Sequence, residues 1–363
     1  MIFMSLPKPK RINADKYVAG LSLFKQKAAK IKLSANESAL GPSPKAVKAF
    51  VGISNNLRRY PDSDGTFLRK ILAKKFSLDF NRIILGSGSD QVLELICKAF
   101  LSKNDEVIVP EYSFIIYRIY SKICGAKIIY AKEKNYEISI ENILSKVTRK
   151  TKIVFLANPN NPTGTFLDKK RLLKLRKKLR NNILLVVDDA YFEYVNNKNY
   201  ASALRLFAKS KNVIVTRTFS KIYGLAALRV GWGYGPKNLI KSISQLKPPF
   251  NVNRAALFAA TESIKDVKWL KQEITHIRKW SKIFFQTFKK LNIQTNFGHA
   301  NFMLINFDKV KKSSKQIFLK LANSGILVRK MDVYKIKNSL RVTIGNSKEN
   351  KKFISEIKRV LNV

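Results

Sequence analysis

Two stretches place unusual groups where they could do chemistry. VVDDAY, Val186 to Tyr191, ends an apolar run on two carboxylates, and RTFSKIYGLAALR, Arg217 to Arg229, sets Lys221 between small polar residues and a glycine turn. A carboxylate in apolar surroundings is unfavourable unless it meets a cation or a strong donor. Asp188 or Asp189 therefore needs a partner, or else caps the next helix. Lys221 follows NVIVTRTF and is flanked by Thr218, Ser220 and Gly224. Burial and neighbouring cations there would lower its pKa and leave a nucleophilic amine. In a chain this rich in lysine, an ordinary surface lysine is the competing reading. LGSGSDQ, Leu85 to Gln91, offers glycines and small hydroxyls ahead of a helical pattern, which suits a phosphate at the positive end of a helix dipole. NPNNPTG, Asn158 to Gly164, holds an asparagine amide on a stiff loop, or is a plain Asn-Pro turn. LVRKM and LRVTIG carry Arg329 and Arg341, suited to forked recognition of carboxylate or phosphate, or to structural ion pairs.

Positioning these groups requires a sheet. Between Asn81 and Trp232 short β-branched runs recur: RIILGSG, DEVIVP, AKIIYA, KIVFLA, NILLVVDDAY and NVIVTRTFS. The spacing leaves room for helices between them, notably SDQVLELICKAFL and LDKKRLLKLRKKL, which predicts an α/β unit with a largely parallel sheet. The chemistry-bearing residues follow the strands, where open α/β sheets hold ligands. After Pro248-Pro249 the pattern changes to helix from Asn253 to about Leu291, then ANFMLINF, GILVRKM and SLRVTIGN with helices near Ser314 to Asn323 and Lys348 to Leu361. That reads as a smaller α+β domain. The expected division is an N-terminal segment over 1–40 joining the small domain and dimer contacts, a large α/β domain over 41–262, and a small α+β domain over 263–363.

The 363 residues carry 70 basic and 24 acidic side chains, a formal charge of +46. Lysines are strewn along the whole chain, and the densest run, RLLKLRKKLR at Arg171 to Arg180, reads as an amphipathic helix with its leucines inward. No basic tail or arm stands apart, so the charge is read as a solvated surface and not as a nucleic-acid footprint. Cys97 and Cys124 do not form a disulfide or metal pattern. The N-terminus lacks the apolar core of a signal peptide, and no run approaches the about 20 apolar residues of a membrane span. A cytoplasmic protein is expected.

Taken in order, RYPD at Arg59, GSGSDQ, NPNNPTG, VDDAY, RTFSKIYGLAALRVG and VRKM with LRVTIG resemble the pyridoxal-phosphate aminotransferases of the aspartate aminotransferase fold type, over nearly the whole chain. The resemblance departs at Asp189, where Asp-Glu is commoner than Asp188-Asp189, and at Ala227, where glycine is usual. It implies pyridoxal 5'-phosphate bound covalently by Lys221, its ring nitrogen held protonated by Asp188, and its phenolic oxygen bonded by Asn161 and Tyr191. The cofactor phosphate would be gripped by Ser89, Asp90 and Gln91, by Thr218 and Ser220, and by Arg229. Tyr112 would stack on the ring, and Tyr60 would reach the phosphate of a neighbouring subunit, which implies a homodimer. Arg329, Arg341 and Tyr17 would bind substrate.

Within that family the resemblance is to enzymes that pass the amino group of histidinol phosphate to 2-oxoglutarate. Partners are then a small-molecule amino donor and a 2-oxo acid, with no membrane and no specific nucleic acid. Phenylalanine or tyrosine transamination is the rival, since only a few pocket residues separate the two. A non-catalytic DNA-binding relative is a remote third reading.

Overall fold

The computed structural model describes residues 14–362. The first described strands are a short hairpin, β1 (Leu23–Phe24) and β2 (Lys27–Ala28), followed by β3 (Ile31–Leu33). The β-branched runs become β4 (Ile83–Gly86), β5 (Glu106–Pro110), β6 (Lys127–Ala131), β7 (Thr151–Ala157), β8 (Leu184–Asp188), β9 (Val213–Thr218) and β10 (Gly231–Tyr234). They form a seven-stranded sheet in the order β4-β10-β9-β8-β7-β5-β6. All pairs from β9 to β6 are parallel, and β10 alone runs against the rest. Strands such as β8 are buried along their whole length, as helices on both faces require.

The second sheet is five-stranded, in the order β11-β12-β14-β13-β3. It holds β11 (Gln294–Thr295), β12 (Phe302–Asn306), β13 (Ile326–Lys330) and β14 (Ser339–Thr343). β3 pairs parallel with β13 although almost 300 residues separate the two in the chain, Leu33 lying opposite Val328. Only three residues long, it carries too little pattern to be read as a strand in isolation. We propose that the two sheets are the cores of the large and small domains expected from the sequence.

Two helical readings change in detail. The single helix expected from Asn253 to Leu291 is two, Arg254–Lys265 and Val267–Lys290, broken at Asp266, whose side chain caps the second. The basic helix Lys169–Lys178 buries Leu172, Leu175 and Arg176, while Leu173 faces out. The helical period puts 172, 175 and 176 on one face. Arg176 earns its place there by donating to the carbonyls of Leu179, Arg180 and Ile183 in the connection that follows the helix.

Candidate active site

The carboxyl ends of β7, β8 and β9 meet the small sheet around a cavity of about 530 Å³, a size suited to small molecules. Lys221, Asp188, Tyr191, Asn161, Thr218, Ser220, Arg229, Ser89, Asp90, Arg329, Arg341 and Tyr17 all line it. Pairing register explains part of this convergence, since Ala157 lies opposite Asp188 and Asp188 opposite Thr216.

Asp188 ends its strand as a buried residue at the cavity wall. The Tyr117 hydroxyl donates to Oδ2 at 3.0 Å, while Oδ1 has no partner among the described residues. Burial is the largest influence on this carboxyl and raises its pKa to about 6, against the opposing pull of its donors. It is therefore charged at neutral pH. Asp189, next in the chain, faces away and has no exposed side chain. It accepts from Ser202 Oγ at 2.7 Å and from the N–H groups at the start of helix Ala203–Phe207, and lies 3.6 Å from Arg217. The two carboxylates of VVDDAY thus divide the two readings between them, one facing the cavity and one capping a helix.

The amine of Lys221 points into the cavity, 3.3 Å from the Ala35 carbonyl. Burial and then the Arg341 charge lower its pKa to about 8. Ala35 belongs to a strap over 34–41 that closes one wall. Ser34 O accepts from Arg341 at 3.2 Å, and the Asn36 amide donates to the Tyr191 hydroxyl at 3.0 Å. The strap is pinned from behind by Glu273, which accepts from the Ala39 and Leu40 N–H groups at 3.1 and 3.0 Å. Gly224, at φ +69°, lets the lysine loop press on the strap: a side chain there would strike the Gly41 backbone.

At the other end, helix Ser89–Phe100 begins with Gly88 at φ +82° and no side-chain cap, leaving N–H groups free for an anion. Arg229 stands over that end, 2.6 Å from Asp90 Oδ1 and 3.2 Å from Ser220 Oγ. A side chain at Gly88 would run into Arg229 and Asp90, and one at Gly231 into the Ser89 N–H. Backbone is thereby kept open where a phosphate would sit.

Arg329 and Arg341 lie directly opposite one another on β13 and β14 and are both buried. Like charges in that position repel, and among the described residues their polar contacts are to neutral groups: Val18 O for Arg329, and Asn161 Oδ1 and Ser34 O for Arg341. An anion in the cavity would relieve them.

Three expected residues stand elsewhere. Tyr112 does not line the cavity. Its N–H donates to Glu133, its carbonyl accepts from Asn160, and its ring lies against Tyr136 with centroids 5.7 Å apart. The turn after β5 brings Phe114 to the wall in its place. The Gln91 side chain turns back to accept from Ser87 N–H and Asn251 at 2.7 Å, so only its backbone faces the helix end. Tyr60 lies outside the cavity, 79% exposed, stacked on Phe250 with centroids 4.5 Å apart. Sequence reading missed Asn36, Phe114, Tyr117 and Tyr334. Asn36 and Tyr117 reach the site from 155 and 71 residues away along the chain, and no local pattern marks them.

The orphaned Asp188 oxygen, the lysine amine and the open helix end fit pyridoxal 5'-phosphate: an acceptor for a protonated ring nitrogen, an amine for an aldehyde, and donors for a phosphate. The chain belongs to the aminotransferase class I and II family, whose pattern matches residues 28–357, and it is a pyridoxal-phosphate-dependent transaminase. A protein of Pelagibacter ubique (strain HTCC1062) named histidinol-phosphate aminotransferase is 52% identical over 361 residues, covering 99% of this chain and 100% of that one. One of the same name from Maricaulis maris (strain MCS10) is 39% identical over 90% of this chain and 91% of its own. The fold is similar to the crystal structure of histidinol-phosphate aminotransferase from Sinorhizobium meliloti in complex with pyridoxal-5'-phosphate, with a TM-score of 0.86 at 22% identity, covering 92% of this chain and 91% of that one.

Proposed function

We propose that this enzyme transfers the amino group of L-histidinol phosphate to 2-oxoglutarate. The observation that carries the reading is the buried arginine pair facing Lys221 across the cavity, a site built for anionic substrates, and the names of the full-length relatives direct it to this amino donor. Pyridoxal phosphate, when bound, supplies an aldehyde that takes up amines and a protonated ring that accepts the electron pair left by a departing proton. Asp188 would keep that ring protonated through its free Oδ1. Asn161 and Tyr191 would orient the phenolic side, and Ser89, Thr218, Ser220 and Arg229 would hold the phosphate. Lys221 Nζ, facing the cavity, would take the proton from the amine-bearing carbon of the substrate and hand it on. Arg341 and Arg329 grip the carboxylate of glutamate and the phosphate of histidinol phosphate, with Tyr17 at the mouth.

A homodimer belongs to the same reading. Tyr60, Phe67 and Phe258 are exposed around one apolar hollow, and a second copy would cover them while Tyr60 reached its phosphate site. Among the described residues no helix is long and apolar enough to cross a membrane, and the free cysteines suit a reducing cytoplasm. Steady-state assays with histidinol phosphate, phenylalanine and tyrosine, each against 2-oxoglutarate, test the substrate. A kcat/KM for either aromatic amino acid above that for histidinol phosphate would overturn it.

A further inference from the structure

We infer that Tyr117 is a positioning residue for the reaction: its hydroxyl holds one oxygen of Asp188 so that the other is charged and aimed at the cofactor's ring nitrogen. Tyr117 lies on helix Ile116–Ile123, is fully buried, and is clamped by aromatic rings. It stacks on Phe155 of β7 with centroids 5.0 Å apart and planes 4° apart, and meets Phe114 edge-on at 5.7 Å. A ring so confined has no freedom to swing its hydroxyl away, and the hydroxyl donates to Asp188 Oδ2 at 3.0 Å. Oδ1 is left as the oxygen without a partner. Because Phe114 and Asp188 line the cavity while Tyr117 does not, the clamp also ties two parts of the wall together from behind.

The chemistry follows from which protonation state the bond favours. A hydroxyl that donates to a carboxylate stabilises its charged form and lowers its pKa. Burial and the Asp188 charge push the Tyr117 phenol well above its ordinary value, so it remains a donor throughout the working range. The other titratable groups around Asp188 are Asp189, whose charge raises its pKa, Tyr191, and Lys221 across the cavity. None of these is shown bonded to the carboxylate.

The inference rests on Asp188 serving the ring nitrogen, and the experiment separates the two. Pyridoxal phosphate affinity is measured on apoprotein by equilibrium titration from pH 5.5 to 8.5 for wild type, Tyr117→Phe, Asp188→Asn and the double variant. Removing the hydroxyl raises the Asp188 pKa by about one unit, the scale of a hydrogen bond to a charged group. At pH 8.5 the carboxyl is ionised with or without Tyr117, so Tyr117→Phe should bind as wild type. Towards pH 6 its affinity should fall about fivefold below wild type, as the unliganded carboxyl becomes protonated. In the Asp188→Asn background that pH-dependent ratio should vanish. A loss uniform across pH, or no loss, would reduce Tyr117 to a packing residue. Should Asp188→Asn itself bind with wild-type affinity and pH profile, the assignment of Asp188 to the ring nitrogen fails instead. If Tyr117→Phe does not fold, Tyr117→4-aminophenylalanine keeps an N–H donor at the para position of the same ring, and failure of that variant to keep the wild-type pH profile overturns the inference.

Discussion

Lys221 differs from the other lysines because burial and then the Arg341 charge disfavour its ammonium form. Its pKa of about 8 means that the neutral, nucleophilic amine grows as pH climbs through that value and the ammonium dominates below it. Capture of pyridoxal phosphate by apoprotein should therefore accelerate between pH 7 and 9, followed as growth of the visible absorption band. Borohydride reduction should fix the cofactor to the peptide that contains Lys221, and Lys221→Ala should lose nearly all turnover while unfolding at the same denaturant midpoint. Asp188→Asn keeps the shape and removes the charge, and turnover should fall on the order of 100-fold or more, the size of such electrostatic terms. Arg341→Lys keeps the charge and loses the planar fork, so KM for both substrates should rise sharply, read from initial rates.

Elements matter through what they hold in place. The strap over 34–41 carries Ala35 and Asn36 to the lysine and the tyrosine, yet its attachment lies in helix Val267–Lys290 through Glu273. Glu273→Ala leaves the Ala39 and Leu40 N–H groups without their acceptor in a partly buried place. That should lower stability by about 2–4 kcal/mol, measured by denaturant unfolding, and weaken cofactor binding although Glu273 touches no ligand. The breadth of the strap's connections explains why β3, only three residues long, is worth pairing so far along the chain: it anchors the strap to the sheet that carries the arginines.

At the scale of the molecule, the charge of +46 is dispersed over exposed lysines, while the cations with work to do line one cavity. Replacing the exposed Lys177 and Lys178 by glutamine should leave kcat and KM within about twofold, since salt screens surface charges beyond a Debye length of roughly 8 Å. Binding to duplex DNA should be weak and abolished by added salt. Phe258→Asp, placed in the exposed apolar hollow beside Tyr60, should shift sedimentation towards the monomer and take activity with it, because Tyr60 would lose its neighbour.

Much of this was legible in the sequence because it is local. The parallel strands announce themselves by β-branched runs buried on both faces, and Lys221, Asp188, Asn161 and Arg229 stand at strand ends where chain geometry alone delivers them to one edge of the sheet. What only the tertiary structure decided is long-range. The choice of Phe114 over Tyr112 depends on how one turn leaves β5, and the inward Arg176 on how the connection to β8 brings its carbonyls back to the guanidinium. Tyr117 and Asn36 depend on contacts across 71 and 155 residues. Such contacts form when separate elements pack, and a residue's own neighbours in sequence exert no force that records them.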